Sequence, residues 1–468
     1  MLEITPMFEI EKGVPLYIQL YTFIKEEIQK GNLKAGDKLP SKRKLSTHLR
    51  ISQNTIETAY EQLQAEGYVQ SKPRKGIFVN QLDEDLFHRN ESVTLPSKEE
   101  SLNQPISYKV DFSHGKTDLD GFPNSIWRKL TIQSLQDEEN LLFFNGERQG
   151  ELGLRKEIAS YLFQSRGVRC LPEQIVIGAG TQYLLGLLTM LIGRGNVFSM
   201  EDPGFHRTRQ VFQDQGVSIK PITLDKEGIH ISHLKESGAN VTYVTPSHQF
   251  PNGMVMPIAR RMELLKWAEE TEGYVIEDDY DGEFRYKGKP IPSLQGLDNK
   301  NRVIYLGTFS KSLIPSIRIS YIILPNDLVE KYNCHFRLYK QTVSRLHQHT
   351  LYLFMKNGHW ERHLNKMRTS YRRKHKALID AIEKYLGDKA VIIGEESGLH
   401  ILLKVKNGMT ESEIIESAQS KKVKVYPTSV YYEEYDAKSV PHVLLGFGGL
   451  TEKEIEEGIM LLKDAWFS

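Results

Sequence analysis

The chain has 468 residues, 61 Lys and Arg against 60 Asp and Glu for a formal net charge of +1, and 39% hydrophobic residues. That length far exceeds the ~100–200 residues of one domain, so several domains with a sizeable core are expected. Only Cys170 and Cys334 are thiols, no signal peptide opens the chain, and the longest apolar stretch, 183–193, is too short to cross a bilayer. These features exclude a disulfide framework, a zinc cluster and a membrane span, and predict a cytoplasmic protein; the fifteen histidines show no metal-ligand spacing, so no metal is expected.

Residues 15–30 read as an amphipathic helix with Leu16, Leu20, Phe23, Ile24 and Ile28 on one stripe. Leu39-Pro-Ser opens a second helix, Pro40 marking the boundary and Ser41 the N-cap. A third helix is predicted from about Gln53 to Glu66, stopped by Gly67, and residues 68–79 form two short strands around the basic turn Lys72-Pro-Arg-Lys-Gly76. The order is helix, helix-turn-helix, wing. Between Lys38 and Val79 eight basic residues oppose three glutamates, a local +5 on a near-neutral chain. Such charge suits phosphates, and the polar start of the third helix, Ser52, Gln53, Asn54, Thr55 and Thr58, suits base edges in a major groove. A solvated basic face would share the charge but not the element order.

Leu39 to Arg43, Ser52 to Thr55, Ala59 to Leu63 and Ala65 to Tyr68 resemble the winged-helix domain of the GntR family. The resemblance implies a double-stranded DNA operator contacted by Arg43, Ser52, Asn54, Thr55 and Arg74. Gln53 stands in the same contact stretch where relatives commonly carry arginine; glutamine suits adenine and arginine guanine, so the operator sequence is not transferable. The winged helix is assigned to residues 1–80. Residues 81–109, acidic and rich in Ser, Asn and Pro, read as a linker.

In the remainder, 110–468, the strand-like Ile175-Val-Ile runs through glycines into an apolar helix beginning near Tyr183. Glycine lets backbone amides approach a phosphate and a helix N-terminus attracts anions, so Gly180, Thr181 and Gln182 form a candidate phosphate cradle, although tight strand-to-helix turns also want glycine sterically. Tyr274-Val-Ile predicts a buried strand ending in Glu277-Asp-Asp-Tyr280. A carboxylate at such an edge can pair with a protonated pyridine nitrogen and a tyrosine can hydrogen-bond the ring's phenolic oxygen, the roles assigned to Asp278 and Tyr280. Acidic pairs there also serve as metal ligands or helix caps. In Thr308-Phe-Ser-Lys311, followed seven residues later by Arg318, a lysine lies among hydroxyls near a guanidinium. Lys311 is therefore the candidate Schiff-base lysine for pyridoxal 5'-phosphate, with the hydroxyls and Arg318 holding the phosphate.

With these motifs in this order, the chain from about Asp111 resembles a fold-type I aminotransferase of the aspartate aminotransferase superfamily. That implies an α/β domain with a mostly parallel sheet, a small C-terminal subdomain from roughly residue 340, a ring-stacking Phe205, and phosphate binding by Thr308 and Arg318. The whole chain resembles the MocR/GabR regulators, most specifically at Ile177 to Gln182, Thr245 to Pro251, Ile276 to Asp281 and Gly307 to Leu313. The resemblance implies a head-to-tail homodimer. Two departures stand out. Phe250-Pro-Asn-Gly253 replaces the Asn-Pro-x-Gly of working aminotransferases, and Gly449 replaces a carboxylate-gripping arginine of the GABA-responsive members. Arg207 matches their second carboxylate-binding arginine. The expected function is a pyridoxal-phosphate-dependent transcriptional regulator sensing an amino compound, through an external aldimine that displaces Lys311, or pyridoxal phosphate itself. The alternative is an aminotransferase with an accessory DNA-binding domain.

Overall fold

The computed structural model describes residues 4–6, 8, 13–82, 107–137, 141–286, 291–435 and 440–467. Two units result, Met1–Pro105 and Ile106–Ser468. Residues 83–106, most of the expected linker, lie outside the described residues.

In the first unit, helices Leu16–Gln29, Lys42–Leu49 and Gln53–Ala65 precede an antiparallel hairpin of Val69–Lys72 and Gly76–Val79. Leu20, Ile24 and Ile28 fall four residues apart, so one stripe of the first helix is buried in the same core as Ile56, Ala59, Tyr60 and Leu63 of the third. Each such aliphatic side chain contributes on the order of 1.5–3 kcal/mol of burial. Val69 and Val79, paired across the hairpin, close that core. The Tyr60 hydroxyl donates to the Pro40 carbonyl at 3.0 Å and ties the third helix to the entry of the second.

The second unit is built on an eight-stranded sheet in the order Ile175–Gly178, Ser320–Ile323, Val303–Thr308, Tyr274–Asp279, Val241–Val244, Val197–Asp202, Ser218–Asp225 and Gly228–Ile229. Ser320–Ile323 and Gly228–Ile229 run against the other six. A sheet covered on both faces needs apolar residues at successive positions. Ile175 and Ile177 face one core, with Tyr305 and Trp360, while Val176 between them faces another, with Leu184, Leu188 and Ile276.

The C-terminal layer is a four-stranded antiparallel sheet of Ala390–Ile393, His400–Val405, His442–Gly446 and Tyr426–Pro427, with helices Glu411–Ser420 and Glu452–Trp466. Its core takes in Val110 and Phe112, and Val110–Asp111 pairs with Val423–Lys424. Helix His359–Tyr385 is shared: Trp360 and Leu364 pack in the sheet's core, Met367, Tyr371 and Leu378 in the C-terminal one. Residues from Val343 to Leu364 thus belong to the large sheet's core, and the passage to the C-terminal core falls within this helix rather than near residue 340.

Candidate DNA-binding face and cofactor pocket

The serines that open the second and third helices of the first unit act as caps. Ser41 Oγ accepts the Lys44 N–H at 3.3 Å and Ser52 Oγ accepts the Thr55 N–H at 3.1 Å, each satisfying an otherwise unpaired helix-start donor. Because Ile56, Ala59, Tyr60 and Leu63 face inward, Gln53, Asn54 and Thr58 are exposed, as is Arg43 on the second helix. Ser52 and Thr55 also bond each other through their hydroxyls at 2.8 Å, so both are committed locally. Arg74 is exposed at the tip of the hairpin with a left-handed φ of 61°. Lys42 is paired with Glu57, which neutralises part of the basic count.

In the second unit, strands ending at Gly178, Asp202, Asp279 and Thr308 deliver their C-terminal ends to one cavity of about 260 Å³. Thr181, Gln182, Phe205, Arg207, Asp278, Tyr280, Thr308, Lys311 and Arg318 all line it. Gly180 adjoins them for a steric reason: with φ of +97° a Cβ there would sit 2.0 Å from Arg318 Nη2. Only glycine lets the guanidinium lie across the start of helix Thr181–Ile192, where it donates to the Ala179 carbonyl at 3.3 Å. Thr308 Oγ1 accepts from Ser320 Oγ at 2.9 Å and from the Ser310 N–H at 3.2 Å. A helix N-terminus, an arginine and hydroxyls at one end of the cavity suit a phosphate dianion.

Strand alternation separates the acids. Glu277 and Asp279 have structural partners: Glu277 accepts the Leu294 and Gln295 N–H groups at 2.7 and 2.9 Å, and Asp279 accepts from Arg166 and the Tyr305 hydroxyl, both at 2.6 Å. Asp278 reaches the cavity, accepting from the Tyr243 hydroxyl through Oδ2, while its buried Oδ1 has no partner among the described residues. Burial pushes its carboxyl up to about 7, the Tyr243 bond opposing the shift. An unpaired buried carboxylate oxygen is what a protonated ring nitrogen would satisfy, so the residues fit pyridoxal phosphate. The strand runs Tyr274–Asp279, so the three acids form its C-terminal end.

Lys311 donates to the His114 carbonyl. Burial pushes its amine down to about 8, with Arg207 adding to the shift and Asp281 opposing it. One face of Phe205 stacks on Phe250, centroids 3.8 Å apart and planes within 4°, so a ring ligand stacking on Phe205 needs its opposite face. Tyr280 Oη lies 2.8 Å from His248 Nδ1 and 3.1 Å from the His248 carbonyl. Arg207 is exposed at the cavity edge, whereas Arg209 pairs with Asp202 and Glu433 at 3.1 and 3.2 Å. A Cβ at Gly449 would lie 2.6 Å from Lys116 Cβ, so the lysine stem fills the place an arginine would start from.

The sequence reading missed Tyr243, His114, His400 and Asp281. Tyr243 sits in an apolar strand with no marker of its role, and His400 enters from the C-terminal layer. His248, Asp281 and His400, unrelated by sequence spacing, bring potential ligand atoms within 4.8 Å of one another; the Nδ1 of His248 is engaged with Asp281 at 3.0 Å.

The family pattern of the bacterial regulatory proteins of the gntR family matches residues 16–79, and that of the class I and II aminotransferases matches residues 108–459. The chain is 48% identical to the HTH-type transcriptional regulator YdeL of Bacillus subtilis, over 99% of this chain and all of the relative. It is 31% identical to the probable rhizopine catabolism regulatory protein MocR of Rhizobium meliloti, covering 98% of this chain and 95% of the other. The chain belongs to the MocR-type HTH transcriptional regulators. The pyridoxine biosynthesis regulator PdxR of Corynebacterium glutamicum, also 31% identical over 96% of this chain and 95% of its own, is another relative. Among solved structures, a kynurenine aminotransferase of Pyrococcus horikoshii matches with a TM-score of 0.68 and 26% identity, covering 78% of this chain and 92% of the other. This MocR-type chain thus joins a GntR helix-turn-helix to an aminotransferase-like domain whose fold implies pyridoxal phosphate dependence. Among the described residues no helix is long and apolar enough to cross a membrane.

Proposed function

We propose that this regulator uses bound pyridoxal phosphate to sense an amine or amino acid, or senses pyridoxal phosphate itself, and transmits occupancy to a double-stranded DNA operator. The observation that carries the reading is Lys311, half-buried with an amine near neutrality, in a cavity between an arginine-and-helix phosphate site and an unpaired carboxylate oxygen. When bound, the cofactor supplies an aldehyde carbonyl to which amines add reversibly. Gly180, Thr181, Gln182, Thr308 and Arg318 would hold the phosphate, Asp278 would hold a proton at the ring nitrogen, Phe205 would pack on the ring and Tyr280 would donate to its phenolic oxygen. At pH 7 about a tenth of a lysine titrating near 8 is neutral, against roughly 0.03% of an ordinary one, so Lys311 would offer the carbonyl a neutral amine. Arg207 offers its guanidinium to a carboxylate of that amine.

Phe250 stands where a working aminotransferase offers an amide to the phenolic oxygen, and it supplies only an apolar ring. That favours sensing over turnover. A ligand moves the winged helices only through different affinities for two arrangements of the protein. Exposed Phe143 and Phe144, each 69% accessible, and Leu338, 91% accessible, support burial against a second copy in a homodimer. The deciding test is the visible spectrum of the cofactor-loaded protein before and after each of a panel of amines and amino acids. A band shift without keto-acid product supports a sensor of that compound; no shift in a protein that takes up cofactor makes pyridoxal phosphate the signal. Repeated turnover to keto acid overturns the reading in favour of an aminotransferase.

A further inference from the structure

The second unit contains a buried three-residue relay, of which Tyr280 and Asp281 line the cavity and His248 lies behind them. Asp281 is 2% exposed, and no arginine or lysine pairs with it among the described residues; its partner is His248, also 2% exposed, whose Nδ1 is 3.0 Å from both carboxylate oxygens. The same Nδ1 is 2.8 Å from Tyr280 Oη. A ring nitrogen between a carboxylate and a phenol carries its proton toward the carboxylate, the stronger acceptor, so Nδ1–H points at Asp281 and is shared with the phenol oxygen. Tyr280 is held neutral, its phenol raised well above the usual range by burial first and by Asp281 next. Its own O–H then donates to the His248 carbonyl at 3.1 Å or to an acceptor in the cavity. The ring cannot drift: a Cβ on Gly398 would lie 1.9 Å from His248 Cε1 and 2.7 Å from Asp281 Oδ2, so a glycine backbone closes the slot.

We propose that His248, oriented by Asp281, is a positioning residue that polarises and aims the Tyr280 hydroxyl at the cofactor's phenolic oxygen, replacing the donor that Phe250 removed. A hydroxyl that accepts a hydrogen bond donates a stronger one. With the amide lost at position 250, this relay supplies the donor strength at that oxygen from the chain's own residues. The titratable groups facing the relay are Asp278, Tyr243 and Glu201 around Tyr280, Lys311 and Tyr286 around Asp281, and His400 beside His248, with His114 against His400. The last two are held neutral chiefly by burial, His114 at about 3 and His400 well below its usual value.

The inference rests on the reading that the pocket binds pyridoxal phosphate, and the experiment separates the two. The loaded wild type is titrated by visible absorbance from pH 5 to 10, with His248→Gln, Asp281→Asn, Tyr280→Phe and the His248→Gln/Tyr280→Phe pair alongside. A donor on the phenolic oxygen competes with the proton on the lysine–cofactor nitrogen, so its loss raises the pH midpoint of the band. The expected result is an upward shift of about one unit for His248→Gln and Asp281→Asn, a larger one for Tyr280→Phe, and no further shift in the double variant. Unshifted midpoints in folded, loaded variants overturn the relay while leaving cofactor binding intact, as does a double variant whose shifts simply add. Absence of any visible band in the wild type overturns the underlying reading instead. Asp281→Asn, nearly isosteric, carries the test if His248→Gln does not fold.

Discussion

The two units build their sites in opposite ways. The proposed DNA-binding face comes from one stretch between Ser41 and Arg74, in which local rules act: serine caps, a helix with one apolar side, a turn of basic residues. The proposed cofactor pocket gathers residues from His114 to His400, carried by strand ends that meet only because the sheet is wound as it is. A local site is weakened by degrees when one residue changes. A convergent site fails when the residue that bonds the ligand is lost, since no neighbour duplicates it.

The sharpest break is Lys311→Ala. It should remove the lysine-bonded band of the loaded protein and change the rate and dose dependence of the amine response, while leaving operator affinity in a gel-shift assay within about twofold of wild type. An unchanged dose response in this variant would overturn displacement of Lys311 as the signal. Next comes Gly180→Ala, which places a methyl in the space of the Arg318 guanidinium. Losing a charge-assisted phosphate contact worth about 1.5–3 kcal/mol should weaken pyridoxal phosphate by about 10- to 150-fold in a fluorescence titration, with DNA binding unmoved. A smaller effect follows from pH. The value of Lys311 is depressed, so its reactive neutral fraction grows as pH rises and saturates above about 8. Stopped-flow cofactor attachment should therefore quicken about tenfold from pH 6 to 7 and level off beyond 8. A rate still climbing tenfold per unit above pH 9 would mean the amine is an ordinary exposed one.

How much was readable in advance follows the same division. Helices from Leu16, Lys42 and Gln53 begin within a residue or so of their expected starts, because caps and apolar spacing are written in adjacent residues. In the second unit, the motifs around Gly180, Asp278 and Lys311 were legible because each joins a strand end to a chemically distinctive residue. Tyr243 and His400 were not, since a tyrosine in an apolar strand and a histidine 89 positions beyond Lys311 acquire roles only through pairing and winding. Asp278 is separated from Glu277 and Asp279 by the two-residue strand period, since the strand continues through all three acids. The C-terminal layer's use of Val110 and Phe112 was equally hidden, for it depends on a parallel pairing across more than three hundred residues.

The smallest effect tests whether the first unit's site is as local as it looks. Ser52 caps the third helix, yet the family resemblance also gives it a place on DNA. Ser52→Ala removes the cap and should cost about 1 kcal/mol of winged-helix stability, seen as a few degrees in a melt. Ser52→Asp keeps a capping oxygen and complements the helix dipole, so stability should hold. On DNA the aspartate brings a negative charge to the phosphates, so affinity should fall further than in Ser52→Ala, and most at low salt where repulsion is least screened. If both variants lose DNA affinity only in proportion to stability, Ser52 serves the helix alone. If Ser52→Asp is stable but does not bind, the residue lies in the interface as well as in the cap, and one local hydroxyl carries both folding and recognition.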